Sequence, residues 1–477
     1  MSSFVSRGAV LASARLLNQA LALLSPLLLV RLLEISEYGR YRQFMATAMF
    51  ITSLAGFALS ANLNYLIARS PKRQPVDITN TCMLMLGVSV LSALVVVLAR
   101  QWIVPPEISS AWLLLAVYVF LFLNLEVLVS YWLAHGKSVS VMGYTLAVTA
   151  WRIVTLLAAT YWLNDVQLIF VTIVCAEAVK NLWIYVWLRR RGLLVFRWDA
   201  AAMREQIRLV APLGAGSVLY KLNDFGKVVV ANQMGPVPLA LYTTAAYQVP
   251  LVNIVQGALA DVIFPDMVKR SRTDPAQGLL LWKRAQVLIF AIICPAWLLL
   301  TYWAEPFVRL LFTDAYVAAT PYFQVFLLLM VRQCFQFSTP LRSVEDNASF
   351  AHANLVALAI NATLIVTLMP KYGLWGPTLG LVIGQTWTSF YLGSRVLKRY
   401  QLPLSELCQW GKVALALAAS LVALAAMHAT QLYVPHGVAG LLASLGAFGL
   451  VYAISARIIL REEYGYVMRT IVRRKTA

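Results

Sequence analysis

Apolar residues run through this chain in blocks of around twenty, separated by short stretches of charged and turn-forming residues. Folded as a helix, such a block is long enough to cross a hydrocarbon core of ~30 Å. The blocks predict spans at roughly 5–33, 39–67, 78–99, 109–133, 139–163, 166–188, 208–230, 237–264, 279–303, 315–341, 351–370, 373–396, 409–430 and 437–457. The expected fold class is an all-α polytopic membrane protein of about 14 transmembrane helices. The first block, Gly8 to Leu33, is apolar apart from Arg15, Asn18, Gln19, Arg31 and a few hydroxyls. It is too long for a secretory signal, shows no convincing cleavage site and leads into further spans, so it reads as a retained first helix.

Composition supports this pattern. The chain is 61% hydrophobic and 12% charged, against about 45–50% and ~25% in soluble domains. The formal net charge is +19, and about 27 of the 39 Lys and Arg fall in the N-terminus, the loops after the even-numbered spans and the C-terminus. That asymmetry predicts both termini on the cytoplasmic side. Clusters such as Arg69/Lys72/Arg73, Arg189/Arg190/Arg191 and Lys269/Arg270/Arg272 read as topology determinants that also touch anionic lipid, so the basic balance calls for no nucleic acid.

Candidate chemistry narrows the class by what is missing. Cys82, Cys175, Cys294, Cys334 and Cys408 are scattered singly and read as small apolar packers. His135, His352, His428 and His436 form no pair at metal-ligand spacing, so neither metal nor cofactor is expected. Gly136-Lys137-Ser138 ends like a phosphate-binding loop, but Tyr131 stands where that motif needs its first Gly. There is no DxD motif of the kind a membrane glycosyltransferase uses, and the outward loops are short. Both features weigh against an enzyme, including a polysaccharide polymerase or ligase.

The chain also repeats itself. At an offset of 201 residues the first two spans lie over the seventh and eighth, with Tyr41 on Tyr242, Gly56 on Gly257 and Arg69 on Arg270. Two six-helix lobes of the same orientation follow, 1–200 and 201–400. The remaining 401–477 is an appended pair of helices with a basic cytoplasmic tail. Parallel repeats of this kind are a transporter architecture with the substrate between the halves.

The run Asp224 to Arg270, with an Asp in a helix, a Gly turn, a Tyr and an apolar span ending in Phe-Pro and basic residues, resembles the seventh and eighth helices of Wzx-like polysaccharide flippases. Residues 29–44 (LVRLLEISEYGRYRQF) and 368–385 (LMPKYGLWGPTLGLVIGQ) are similar to that family's first hairpin and its eleventh-to-twelfth turn. The family belongs to the multidrug/oligosaccharidyl-lipid/polysaccharide superfamily. The resemblance implies translocation of undecaprenyl-diphosphate-linked oligosaccharide across the bacterial cytoplasmic (inner) membrane, for O-antigen or exopolysaccharide synthesis. A polysaccharide polymerase and a chain-length regulator would be its partners.

Charges inside spans test that implication, because a charge at the bilayer centre costs about 2.5–3.5 kcal/mol even on the mildest scale. The embedded cations are Arg15, Arg152, Lys180, Lys221, Lys227 and Arg332; the acids are Glu126, Glu177, Asp224 and Asp261. Glu177 and Lys180 share a helix face, as do Lys221, Asp224 and Lys227. The excess of cations suits a diphosphate, with Arg15, Lys221 and Lys227 as its first candidates and Arg152 and Arg332 as further ones. The competing reading for each is an interhelix ion pair or snorkelling. Asp224, Asp261 and Glu126 are the candidates for ion coupling, with neutralisation of Lys221 or Lys227 as the alternative for Asp224. Pro26, Pro212, Gly214 and Gly216 mark expected bends. Gly376, Gly380 and Gly384 mark a close-packing face. A cation-coupled drug or metabolite antiporter of the same superfamily would share this fold.

Overall fold

Every regular element among the described residues is helical, as bilayer-spanning requires of a chain that pairs its own backbone groups locally. The computed structural model describes residues 17, 18, 21, 24–55, 63, 66, 67, 73–122, 127–163, 165–195, 199–250, 252, 254–256, 267, 274–344, 346–433 and 438–459. Arg15, Glu126 and Asp261 lie outside them. Nine of the described helices are long and apolar enough to cross a membrane.

In chain order, α1 covers 24–32, α2 Ile35–Ala55 and α3 Gln74–Leu98. Next come α4 Trp112–Phe122, α5 Val127–Ala134, α6 Ser138–Leu163 and α7 Val166–Arg190. The second set begins with α8 Ala200–Leu222, α9 Gly226–Gln233 and α10 Pro236–Ala245. It continues with α11 Pro275–Tyr302, α12 Ala304–Phe312, α13 Thr320–Cys334, α14 Ser338–Ser343, α15 Asn347–Tyr372 and α16 Trp375–Tyr400. The last pair is α17 Trp410–Tyr433 and α18 Val438–Ile459. Asp side chains cap the starts of α7, α8, α11 and α15, where Asp165, Asp199, Asp274 and Asp346 accept from the first-turn amides.

Packing follows the chain order. Helix α4 packs on α3 and α7, and α6 on α7; in the second set α13 packs on α11 and α16, and α15 on α16. The α15–α16 contact is close because Gly376, Gly380 and Gly384 face α15. A Cβ on Gly380 would lie 2.5 Å from Asn361 Oδ1, and one on Gly384 2.8 Å from the Ala357 carbonyl oxygen. The terminal helix α17 packs on α11, and α18 on α17.

Two departures from α-helical geometry lie beyond the Pro and Gly residues of α8. Helix α8 runs unbroken across Pro212, Gly214 and Gly216, and the chain tightens into a 3-10 turn only at Asn223–Phe225. Buried Asn223 explains the position. Its carbonyl accepts from Asn361 Nδ2 at 2.9 Å, so the break is fixed from α15 rather than by a helix-breaking residue of its own. A second break follows α10, where Ala246–Val249 leave helical geometry before Pro250.

Candidate membrane-embedded polar site

Helices α2 and α10, which the 201-residue offset in the sequence lays over each other, pack directly on each other. At their crossing a Cβ on Gly39 would lie 2.2 Å from the Pro236 carbonyl oxygen, so only glycine permits this approach. One turn further on, fully buried Gln43 donates to the Ala231 carbonyl at 2.8 Å and to the Glu107 carboxylate at 2.9 Å. Asn232 donates to the Ile103 carbonyl at 3.4 Å, and the rings of Tyr38 and Tyr316 meet edge to face at 5.9 Å. Arg31 reaches the Leu310 carbonyl at 2.7 Å. These contacts form one seam joining the first helices to the second set. A separate seam joins α3 to the start of α8. There Arg73 faces Asp77 and Glu205, each at 3.7 Å, and Asp199 at 4.0 Å, while Gln206 donates to the Asp77 carbonyl at 3.2 Å.

Two polar clusters stand out, the first of them within helices able to cross a membrane. In the first set, Glu177 on α7 is buried and bound by two cations. Arg152 Nε from α6 donates to it at 2.7 Å, and Lys180 donates from the next turn of α7. The Arg152 guanidinium sits 5.0 Å over the Phe122 ring, and its Nη2 is buried without a hydrogen-bond partner among the described residues. The cluster therefore carries one positive charge more than its carboxylate balances. Asn181 anchors it to α4 by donating to the Leu121 carbonyl at 2.9 Å.

The second cluster sits at the α8–α9 break. Asp224 in the 3-10 turn pairs with Lys227 at 3.2 Å. Both line a cavity of about 560 Å³, its open mouth included, with Ala246, Tyr247, Gln248 and Val249 from the α10 break, and with α13 and Leu381. About 50 Å³ of that space is open to the centre of a water molecule. That is room for several waters at ~10–15 Å³ each.

Of the residues singled out from the sequence, the structure brings together Asp224 with Lys227, and Arg152 with Glu177 and Lys180. Lys221 is exposed, with no ion pair among the described residues. Arg332 turns away from the cavity toward α16, donating to Thr388 at 2.7 Å and Ser389 at 3.0 Å. Sequence reasoning passed over Arg42, whose Nε is buried without a partner among the described residues, within electrostatic reach of Tyr38, Tyr41 and Tyr316. It also passed over Gln43 and Arg31. Their partners lie 188 and 279 residues away, and no local pattern marks such pairs.

The model of a family described as polysaccharide biosynthesis protein matches residues 28–321, well over half of the chain. The chain belongs to this family. No curated protein matches it in sequence. Solved structures give the fold. A lipid II flippase, MurJ, in an inward closed conformation superposes with a TM-score of 0.75 at 13% identity, over 95% of this chain and 99% of the other. An inward-facing multidrug resistance MATE transporter of the MOP superfamily gives 0.61 at 14% identity, over 82% and 98%. A MOP superfamily transporter from Pyrococcus furiosus gives 0.53 at 15% identity, over 83% and 95%. This member of the polysaccharide biosynthesis family is a polytopic membrane protein with the fold of MOP transporters.

Proposed function

We propose that the protein is a flippase that moves undecaprenyl-diphosphate-linked oligosaccharide repeat units from the inner to the outer leaflet of the bacterial cytoplasmic membrane, for surface or exopolysaccharide synthesis. The supporting observation is an imbalance of charge inside a MOP fold. Among the described residues, Arg152, Lys180 and Arg332 stand in helices able to cross a membrane against Glu177, and Lys221 and Lys227 stand against Asp224 at the α8–α9 turn. An antiporter built around a cation site would present free carboxylates. Here Glu177 is held by two cations and Asp224 by one.

In this reading 1–200 and 201–400 are the two lobes, 401–477 is the appended pair, and both termini are cytoplasmic. Lys221, Lys227 and Arg152, together with Arg15 and Arg332, attract the diphosphate while the polyprenyl tail stays in lipid. Asp224, Asp261 and Glu126 serve ion coupling. The lobes rock about the two seams, and the one made by Gly39, Gln43 and Arg31 parts for release. The substrate leaves chemically unchanged, so the protein is a transporter rather than an enzyme and uses no cofactor. A polymerase and a chain-length regulator receive the product.

Deletion of the gene tests the proposal. Complete lipid-linked repeat units should accumulate on the cytoplasmic face, and the wild-type copy should clear them. Unchanged levels of such lipids in the deletion strain would contradict it.

A further inference from the structure

The chemistry of the cavity at the paired helix breaks differs from that of the Arg152 cluster. Irregular backbone at mid-span is tolerated only where it is buried in protein or lines a wet cavity, because each unpaired amide or carbonyl in hydrocarbon costs several kcal/mol. Ala246, Tyr247, Gln248 and Val249, the whole second break, line this cavity, and the first break supplies Asp224. The cavity is thus lined at both departures from α-helical geometry.

The side chains narrow the guest. A phosphate needs uncompensated cations, but Lys227 is matched by Asp224 at 3.2 Å. A metal ion needs several carboxylates or other ligating groups, and no cluster of three or more His, Cys, Asp or Glu able to hold one occurs among the described residues. What remains is one acceptor carboxylate, one donor ammonium and two amides, Gln248 and Gln333, each both donor and acceptor. The rest of the lining is apolar, with the Tyr247 ring beside it. Mixed donors and acceptors with no net charge, set against apolar and aromatic walls, fit a neutral polyhydroxylated ring. Its hydroxyls take the amides and its C–H face takes the wall.

A further chain of amides holds this wall in place. Gln336 Nε2 donates to Gln256 Oε1 at 2.8 Å, and Gln256 Nε2 donates to the Gln333 carbonyl at the end of α13. Gln256 therefore acts as a positioning residue, tying α13 to the helical segment beyond the α10 break.

We infer that the cavity between the Asn223–Phe225 turn and the Ala246–Val249 break is a saccharide subsite, in which Gln248, Gln333 and Asp224 hold hydroxyls of the translocated glycan. The assignment rests on the flippase reading and refines it: Lys227, matched by Asp224, belongs to the sugar's cavity, and the diphosphate falls to the remaining cations.

The test uses full-length protein in nanodiscs and two probes: undecaprenyl diphosphate carrying the host's oligosaccharide, and bare undecaprenyl diphosphate. Gln248→Met and Gln333→Met keep side-chain length and remove the amide. Each should weaken binding of the sugar-bearing lipid by about five- to tenfold, the scale of one lost hydrogen bond, and leave bare-lipid affinity within about twofold. Asp224→Asn, which keeps shape and the acceptor oxygen, should lose less. Equal loss for both probes, or no loss for either in variants that elute as monodisperse protein, would overturn the subsite. If the wild type binds neither lipid, the flippase reading fails and the subsite with it.

Discussion

Arg31, at the end of α1, grips Leu310 across the molecule. Its guanidinium donates to the Leu310 carbonyl at 2.7 Å and to the neighbouring Leu311 carbonyl at 3.3 Å, while also bonding its own turn at Leu27. Those two carbonyls belong to the last turn of α12, where the backbone leaves carbonyls unpaired and partly negative. One cation thus caps a helix of the second set and ties it to the first. Arg31→Ala should loosen the seam. Arg31 is exposed, so the contact is worth about 1 kcal/mol, or roughly a fivefold shift toward the open form. Labelling of Tyr316→Cys by a membrane-impermeant thiol reagent should rise by about that factor in the Arg31→Ala background. An unchanged rate would show that Arg31 does not hold the seam.

Gly39 makes a sharper demand on the same seam. Any side chain there meets the Pro236 carbonyl, which is backbone and cannot swing aside. Gly39→Ala should therefore separate α2 from α10 at a cost of about 1–3 kcal/mol, read as a lowered melting temperature in detergent. Gly87→Ala is the control, since a Cβ on Gly87 meets nothing within 4 Å. It should leave stability unchanged or raise it by about 0.4–1 kcal/mol.

Glu177 carries the charge balance of the first cluster. Glu177→Gln leaves Arg152 and Lys180 facing each other in a buried site, and removing one partner of a buried pair costs about 3–5 kcal/mol. The variant should express poorly or melt early. Adding Lys180→Met should recover much of that loss, because the amide introduced at position 177 then faces one cation rather than two. Failure of the second change to restore stability would show that Lys180 bears no unpaired charge in the single variant.

These residues also mark how far the sequence could be read. The nine described helices able to cross a membrane were legible because twenty apolar residues in a row have few other fates. The Glu177–Lys180 pair was legible because three residues apart on a helix is a contact. Arg152 as its third member was not, since it arrives from another helix 25 residues away. The Gly376/Gly380/Gly384 face was legible as spacing, and its partner helix α15 follows from the short turn between them. The 3-10 turn at Asn223 was not legible, for a physical reason. Pro212, Gly214 and Gly216 sit where the helix holds, while the break at Asn223 is fixed by Asn361, 138 positions on. Long-range amide-to-carbonyl bonds leave no periodic trace.

The central claim is movement of a lipid-linked glycan between leaflets, and reconstitution measures it directly. Purified protein in proteoliposomes loaded with undecaprenyl diphosphate-linked oligosaccharide should carry the sugar to the opposite leaflet. Lectin or glycosidase added outside should then reach nearly all of the substrate, against about half in protein-free vesicles at symmetric loading. Wild-type protein that leaves the protected half inaccessible, under either orientation of an imposed ion gradient, would contradict the account.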